Sequence, residues 1–298
     1  MNKWWWILVM TLCWMAAGVA MFGFSPDRNR VYGSVVGGTD RIVSMAPNLT
    51  EILFAVGIGQ KVVAVSNDSD YPPEAGGRNK VGSFWQPNIE AVIAAKPDLV
   101  ITLGFGQQRN LAHRLNRIGY NTLTVNMEKV GDLFDAIGKI GEATGAELQA
   151  GTLVADIKNR LNNLSTLVGA KDRVRVLYVV QREPLRAAGR DTFINEIIEL
   201  AGGENAIGPT VYKYPPVGAE QVIACRPEVI IEPVMGQEDL VGQQTKAIQY
   251  WSKFENLPAV RNRRIYVING DAVSRLGPRL YEGTETIARC LRPELFAN

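Results

Sequence analysis

The sequence predicts an α/β fold: two Rossmann-like lobes with parallel sheets, joined by one long connecting α-helix. Three observations predict it. First, one stretch occurs twice, at 88–101 and 218–231, an offset of 130 residues (88 to 218) with no gap. Glu90 pairs with Glu220, Lys96 with Arg226, Pro97 with Pro227 and Asp98 with Glu228. Each copy reads as a short amphipathic helix, stopped by proline, that runs into an apolar strand. The period is too long for a solenoid unit and reads as two related lobes. Second, strand and helix patterns alternate along the chain, which argues for a parallel sheet covered on both faces. Third, residues 147–168 lie between the two copies and have helical spacing: Leu148, Val154, Ile157, Leu161, Leu164 and Val168 recur, with no proline and no glycine after Gly151. Such a helix is roughly 30 Å long and would cross from one lobe to the other. An ordinary covering helix fits the same pattern.

The chain has 298 residues, 46% hydrophobic and 21% charged, enough for two domains with a sizeable core. The expected division is 1–24 as signal anchor or signal peptide, 25–40 as tether, 41–146 as the first lobe, 147–168 as the connector and 169–298 as the second lobe. A formal net charge of +2, with no basic cluster in sequence, argues against nucleic acid as a partner.

Lys3 is followed by an uncharged run over 4–24 with three tryptophans at its start, long enough to span a bilayer. It reads as a membrane anchor. Gly18-Val19-Ala20 leaves a cleaved signal peptide open, and Cys13, preceded by Leu12 instead of a small residue, leaves a lipoprotein as a weaker fit. The polar, glycine-rich segment up to Asp40 reads as a tether. The expected location is extracytoplasmic, in the periplasm or its equivalent, anchored to the cytoplasmic membrane.

In the first lobe, 41–45 is a strand ending at Ala46-Pro47. Asn48 is placed as a helix N-cap with Glu51 closing a capping box, and the helix stops at Gly57. Strand 62–66 leads to the turn-rich loop 67–73. The segment 83–87 precedes the first repeat helix, 99–103 is a strand ending in Gly104-Phe105-Gly106, 112–118 is helical, 122–125 a strand, and 130–144 a helix. Ligands of open α/β sheets bind outside the carboxyl ends of the strands. The loops there are 46–48, 67–71, 83–87 and 104–107, carrying Tyr71, Phe84, Trp85 and Phe105. These aromatics either pack the loops down or line a cleft.

In the second lobe, 174–180 is a strand followed by the loop 181–186, and 192–200 is a helix ended by Gly202-Gly203. Tyr212-Lys213-Tyr214-Pro215-Pro216 leads into the second repeat helix as Phe84-Trp85 led into the first. Strands 229–232 and 264–268 follow, Asp271 and Arg275 lie in the last exit loop, and 279–291 is a closing helix. Cys225 and Cys290 both fall here, where a disulfide and two buried thiols are both consistent.

The combination of Arg41-Ile-Val-Ser with Pro47-Asn-Leu-Thr-Glu51, Ser69-Asp-Tyr-Pro-Pro73, the repeated stretch and Gly277-Pro-Arg-Leu280 resembles the helical-backbone class of ABC-importer substrate-binding proteins. That class carries iron-siderophores, haem and vitamin B12, and the chain is most similar to its vitamin B12-binding branch. The resemblance covers roughly residues 41–291. It implies ligand held in a cleft between the lobes, with little closure, and no resident cofactor. It implies that Glu90 and Glu220 dock onto arginines of a permease dimer, where a pseudo-twofold pair of carboxylates suits a twofold receptor. Early-helix acids favoured by the helix dipole are the plainer account. The expected ligand contacts are Pro47, Asn48, Asp68, Phe84, Trp85, Phe105, Arg186, Tyr214, Asp271 and Arg275. Phe84 stands where a corrin-facing tryptophan is found, and Asp271 with Arg275 matches a polar pair. Asp68, Leu103 and Arg186 stand where aromatics are expected, and Arg186 with Arg275 suits carboxylate, catecholate or phosphate groups. A corrinoid, an anionic ferric siderophore and a haem-like ligand therefore all remain open.

Three other readings compete. A metal-ion importer needs several converging histidines or carboxylates, and His113 is the only histidine. An enzyme needs a nucleophile elbow, Walker loop or dinucleotide fingerprint, and none is present. A membrane-tethered ligand sensor or scaffold would use the same body without an importer.

Overall fold

The computed structural model describes residues 31–32, 38–169, 172–236 and 239–297. The apolar run 4–24, Cys13 and most of the expected tether lie outside these residues. Among the described residues no helix is long and apolar enough to cross a membrane.

The first sheet has six strands: β1 (Val31–Tyr32), β2 (Ile42–Ser44), β3 (Val62–Val65), β4 (Asn79–Lys80), β5 (Leu99–Leu103) and β6 (Thr122–Val125), in the order β1-β6-β5-β2-β3-β4. Every pairing is parallel except β1 on β6. The reason is visible in the residues: β2, β5 and β6 are buried at every position, as strands covered on both faces must be. The helices are α1 (Pro47–Ala55), α2 (Pro73–Gly76), α3 (Ile89–Ala94), α4 (Gly106–Arg117) and α5 (Val130–Thr144). Gly145 ends α5 in the left-handed region, at φ 71°.

Next comes α6 (Glu147–Val168), a 22-residue helix. Ala150, Ile157, Leu161, Leu164 and Val168 form its buried stripe, while the expected Leu148 is exposed. Gly141 lets it cross α5 closely, since a Cβ there would sit 2.6 Å from that of Ala150.

The second sheet has five strands: β7 (Val174–Gln181), β8 (Arg186–Ala187), β9 (Gly203–Asn205), β10 (Val229–Val234) and β11 (Ile265–Asn269). The order is β11-β10-β7-β8, with β9 on the early part of β7. Only β8 is antiparallel. Its helices are α7 (Phe193–Leu200), α8 (Ala219–Cys225), α9 (Leu240–Trp251), α10 (Pro258–Arg261), α11 (Asp271–Ser274) and α12 (Leu280–Leu291). Each sheet with its helices forms a lobe.

Among the described residues, three apolar clusters form the core. Two are private: one around Val43, Val92, Val100 and Leu115 in the first lobe, one around Leu177, Ile230, Ala247 and Trp251 in the second. The third is shared, running from Leu49, Leu99 and Ile137 through Ile157 and Leu161 of α6 to Tyr178, Ile197 and Ile287.

Several expectations need correcting. Asn48 is not a cap, because α1 already begins at Pro47 and its N-cap position is Ala46. Glu51 closes no capping box. The helix expected at 112–118 starts at Gly106, and the exit loop holding Asp271 contains the short helix α11. Cys225 and Cys290 are both free and buried, and belong to different clusters. Burial pushes the Cys290 thiol up to about 11.

Candidate functional site

The carboxyl ends of the two sheets face each other and are bridged on two sides. On one side Asn48 Nδ2 donates to the Leu276 carbonyl at 3.0 Å, and Arg279 forks onto Glu51 with bonds of 2.8 and 2.6 Å. Arg279 also lies 4.0 Å over the Tyr71 ring. On the other side, Lys129 pairs with Asp191 at 2.6 Å, Glu196 accepts from the Val130 amide at 2.6 Å, and Lys213 pairs with Glu128 at 2.8 Å. The bridging loops follow β2 and β6. The loop after β5, the strand between them, therefore points into the space enclosed.

The loop after β5 carries Phe105, and Phe84 and Trp85 of the 83–87 turn pack against it. Phe84 sits 4.8 Å from Trp85 and 5.1 Å from Phe105, ring centre to ring centre, and Trp85 lies 6.1 Å from Phe105. Trp85 is 69% exposed. It is part of a contiguous aromatic patch with Phe84 and Phe105, and contiguous apolar patches mark binding surfaces. The 83–87 segment is a tight turn: the Ser83 amide donates to the Gln86 carbonyl at 3.1 Å, and Gly82, at φ 95°, admits no side chain because a Cβ would meet the Asn88 amide nitrogen at 2.5 Å.

The second lobe presents an apolar pocket of about 440 Å³ lined by Tyr178, Val180, Phe193, Ile194, Tyr214, Pro233, Met235 and Ser274. These residues come from β7, from β10 and the position after it, from the start of α7, from the end of α11 and from the segment before α8. Phe84 and Tyr214 stand at the repeat offset, so the two lobes offer an aromatic ring from equivalent places. Burial raises the pKa of the Tyr214 phenol.

The polar residues expected at the ligand are engaged elsewhere. Arg275 donates to Asp70 at 2.7 Å, lies 3.5 Å from Asp271 and 4.0 Å from Glu51, and is 15% exposed. Burial acts to raise the pKa of Asp70, but the Arg275 bond and charge outweigh it, and the net shift is downward. Arg186 donates to the Tyr214 carbonyl at 3.1 Å, fixing the segment that carries that ring. Asp68 accepts the Phe84 amide at 3.0 Å. Pro47 and Asn48 lie half-buried at the inter-lobe bridge. The expected residues thus separate into rings that pack on one another or line the second-lobe pocket, and polar residues that fix the loops or tie the lobes.

Glu51, buried at 3% exposure, is the largest surprise. Burial raises its pKa, and Arg279 opposes that shift; in turn burial would lower the pKa of Arg279, but Glu51 more than reverses it. The fork with two short bonds is the geometry of a charge-assisted pair. Sequence reasoning also missed Gln108, whose signal was present: it falls in line with Leu111, Ala112 and Leu115, the buried residues of α4. Glu90 and Glu220 lie in the first turns of α3 and α8, exposed, with no ion-pair partner among the described residues.

A family profile described as "Periplasmic binding protein" matches residues 42–272. The vitamin B12-binding protein of Vibrio parahaemolyticus is 30% identical over 244 residues, covering 80% of this chain and 85% of that one. A substrate-binding lipoprotein of an ABC transporter in Bacillus subtilis, YvrC, itself uncharacterised, is 32% identical over 263 residues, 86% of this chain and 81% of that one. Among solved structures, the periplasmic vitamin B12-binding protein BtuF of Vibrio cholerae superposes with a TM-score of 0.73 at 29% identity, covering 86% of this chain and 97% of that one.

Proposed function

The chain belongs to the periplasmic binding protein family, and from that premise we propose that it is the extracytoplasmic substrate-binding component of an ABC importer. It captures a metal chelate between its lobes and delivers it to a permease dimer, without turnover. Residues 4–24 hold it at the cytoplasmic membrane; the relative described as a lipoprotein supports membrane attachment, there through a lipid chain.

One observation carries the choice of ligand. The facing surfaces are an aromatic cluster, Phe84, Trp85 and Phe105, and an apolar pocket with Tyr214 and Met235, while Arg275 and Arg186 are bonded within the protein. A polyanionic siderophore needs several unpaired cations that face it, and of these two only Arg186, bonded to a neutral carbonyl, has no ion-pair partner among the described residues. A broad, largely uncharged macrocycle needs apolar area and ring contacts, which are present. A corrinoid fits best, in keeping with the names of the relatives. The site residues for the ligand are then Phe84, Trp85, Phe105 and Tyr214, with Pro47, Asn48, Asp68, Arg186, Asp271 and Arg275 shaping the cleft around them.

Isothermal titration of the full chain in detergent tests this, with cyanocobalamin, haemin and a ferric catecholate as ligands. Saturable one-to-one binding of cyanocobalamin is expected, weakened about tenfold or more in Trp85→Ala or Phe84→Ala. Tight binding of the catecholate alone would replace the ligand class. For docking, Glu90→Arg/Glu220→Arg should abolish permease association and leave the ligand Kd unchanged, since both acids lie on helices outside the cleft. Transport by that double variant at the wild-type rate would remove the docking role.

A further inference from the structure

The Gln108 side chain is 1% exposed, at the first turn of α4. Its amide makes three bonds to three different segments. Nε2 donates to the Met45 carbonyl at 2.8 Å and to the Phe84 carbonyl at 3.3 Å, and Oε1 accepts the Leu103 amide at 2.9 Å. Met45 is the residue after β2, Leu103 ends β5, and Phe84 belongs to the turn before α3. One buried side chain therefore joins the roots of three loops that open on the cleft: 46–48, 83–87 and 104–105.

Phe84 is held from the other side as well. Its amide donates to Asp68 Oδ2 at 3.0 Å. Both peptide groups flanking the Phe84 side chain are thus fixed by side chains from elsewhere, Asp68 after β3 and Gln108 on α4. The Phe84 ring in turn makes the edge contact to Trp85 and the tilted contact to Phe105. Trp85 is mostly bare to solvent, so its direction depends on the turn beneath it. A fixed ring binds more tightly than a mobile one, because less freedom is lost on binding.

We infer that Gln108 and Asp68 are the positioning residues of the aromatic platform, acting on ligand affinity through Phe84 and Trp85 without touching the ligand. This rests on the proposed ligand cleft. It assigns Asp68 a role as hydrogen-bond acceptor, for which its charge is dispensable. It also assigns the Gln108 amide a role that a hydrocarbon of the same shape cannot fill, since the carbonyls of Met45 and Phe84 and the Leu103 amide would lose their partner.

The test uses the full chain in detergent, labelled with 5-fluorotryptophan, with the Trp85 fluorine line assigned by Trp85→Phe. Gln108→Met and Asp68→Ala should each shift or broaden the Trp85 line without ligand and leave the Trp251 line in place. Each should weaken cyanocobalamin binding, by about tenfold for Gln108→Met, with far-ultraviolet circular dichroism preserved. Asp68→Asn, which keeps an acceptor oxygen, should stay within about twofold of wild type; a loss equal to that of Asp68→Ala would mean that the charge itself meets the ligand. Asp68 is exposed, so its variants keep the test open should Gln108→Met fail to fold. An unmoved Trp85 line in both Gln108→Met and Asp68→Ala overturns the inference. A moved line with no corrinoid bound by wild type would instead overturn the ligand reading and leave the positioning role standing.

Discussion

Glu51 carries its charge into the interior of the molecule and meets Arg279, 228 positions later in the chain. A buried carboxylate left without any partner costs about 3–5 kcal/mol, an upper bound here because Arg275 stays 4.0 Å from Glu51. Arg279→Ala should therefore lower stability by up to about that amount in urea unfolding, whereas Arg289→Ala, which removes an exposed pair with Glu285, should cost under about 1 kcal/mol. Similar losses in the two variants would deny Glu51 its central place. The neighbouring pair adds a pH dependence. The folded-state pKa of Asp70 lies below its ordinary value of 3.8, so its contribution is full above pH 3.8 and disappears as pH falls through the lowered value. Asp70→Asn should narrow the thermal gap to wild type as pH drops through that window; a gap constant from pH 6 to pH 2 would rule out the Arg275 pairing. None of this was legible in the sequence. Asn48-Leu-Thr-Glu51 matches a capping box, and Pro47 sets the helix start two residues too early for it. The arginines carry no local mark of their acids, because their partners come from the other half of the chain.

The paired helices α3 and α8 show what a sequence can tell and why. Apolar spacing, the stopping proline and the strand beyond it are local signals, so both copies are legible in the residues alone, as are the ends of α5 and α6. The copies share a further feature that no residue type announces. Lys96, at φ 47°, and Arg226, at φ 42°, both adopt the left-handed region, in the turn between helix and proline. Such a residue costs about 1 kcal/mol when it carries a Cβ. Lys96→Gly and Arg226→Gly should each be neutral to stabilising, by up to about 1 kcal/mol in denaturant unfolding. A clear destabilisation of both would mean that the basic side chains contribute more at the helix ends than the strain removes. The aromatic platform is the opposite case: Phe84, Trp85 and Phe105 are visible in the sequence as loop aromatics, but the residues that fix them, Gln108 and Asp68, act through backbone groups brought close only by the fold.

At the scale of the whole molecule, α6 does not work as a linker between independent bodies. Its stripe of Ala150, Ile157, Leu161, Leu164 and Val168 belongs to the one cluster that also holds Leu49 and Ile137 of the first lobe and Tyr178 and Ile287 of the second. A wide hinge motion would expose part of that cluster, at about 25 cal/mol for each Å² uncovered. The bridges on both flanks of the cleft oppose the same motion. They differ in kind: Glu51 with Arg279 is buried, while the Lys213–Glu128 pair is exposed, at 43% and 63%, and is weakened by salt. Ligand should therefore enter from the exposed flank by small displacements of the loops, with the lobes staying in place. Small-angle scattering of the ligand-free and corrinoid-loaded protein should give profiles that coincide, within a displacement of about 2 Å. Raising salt or introducing Lys213→Ala should speed ligand association and release without shifting the scattering profile. A marked fall in the radius of gyration on loading would mean that the shared core yields, and that α6 serves as a hinge after all.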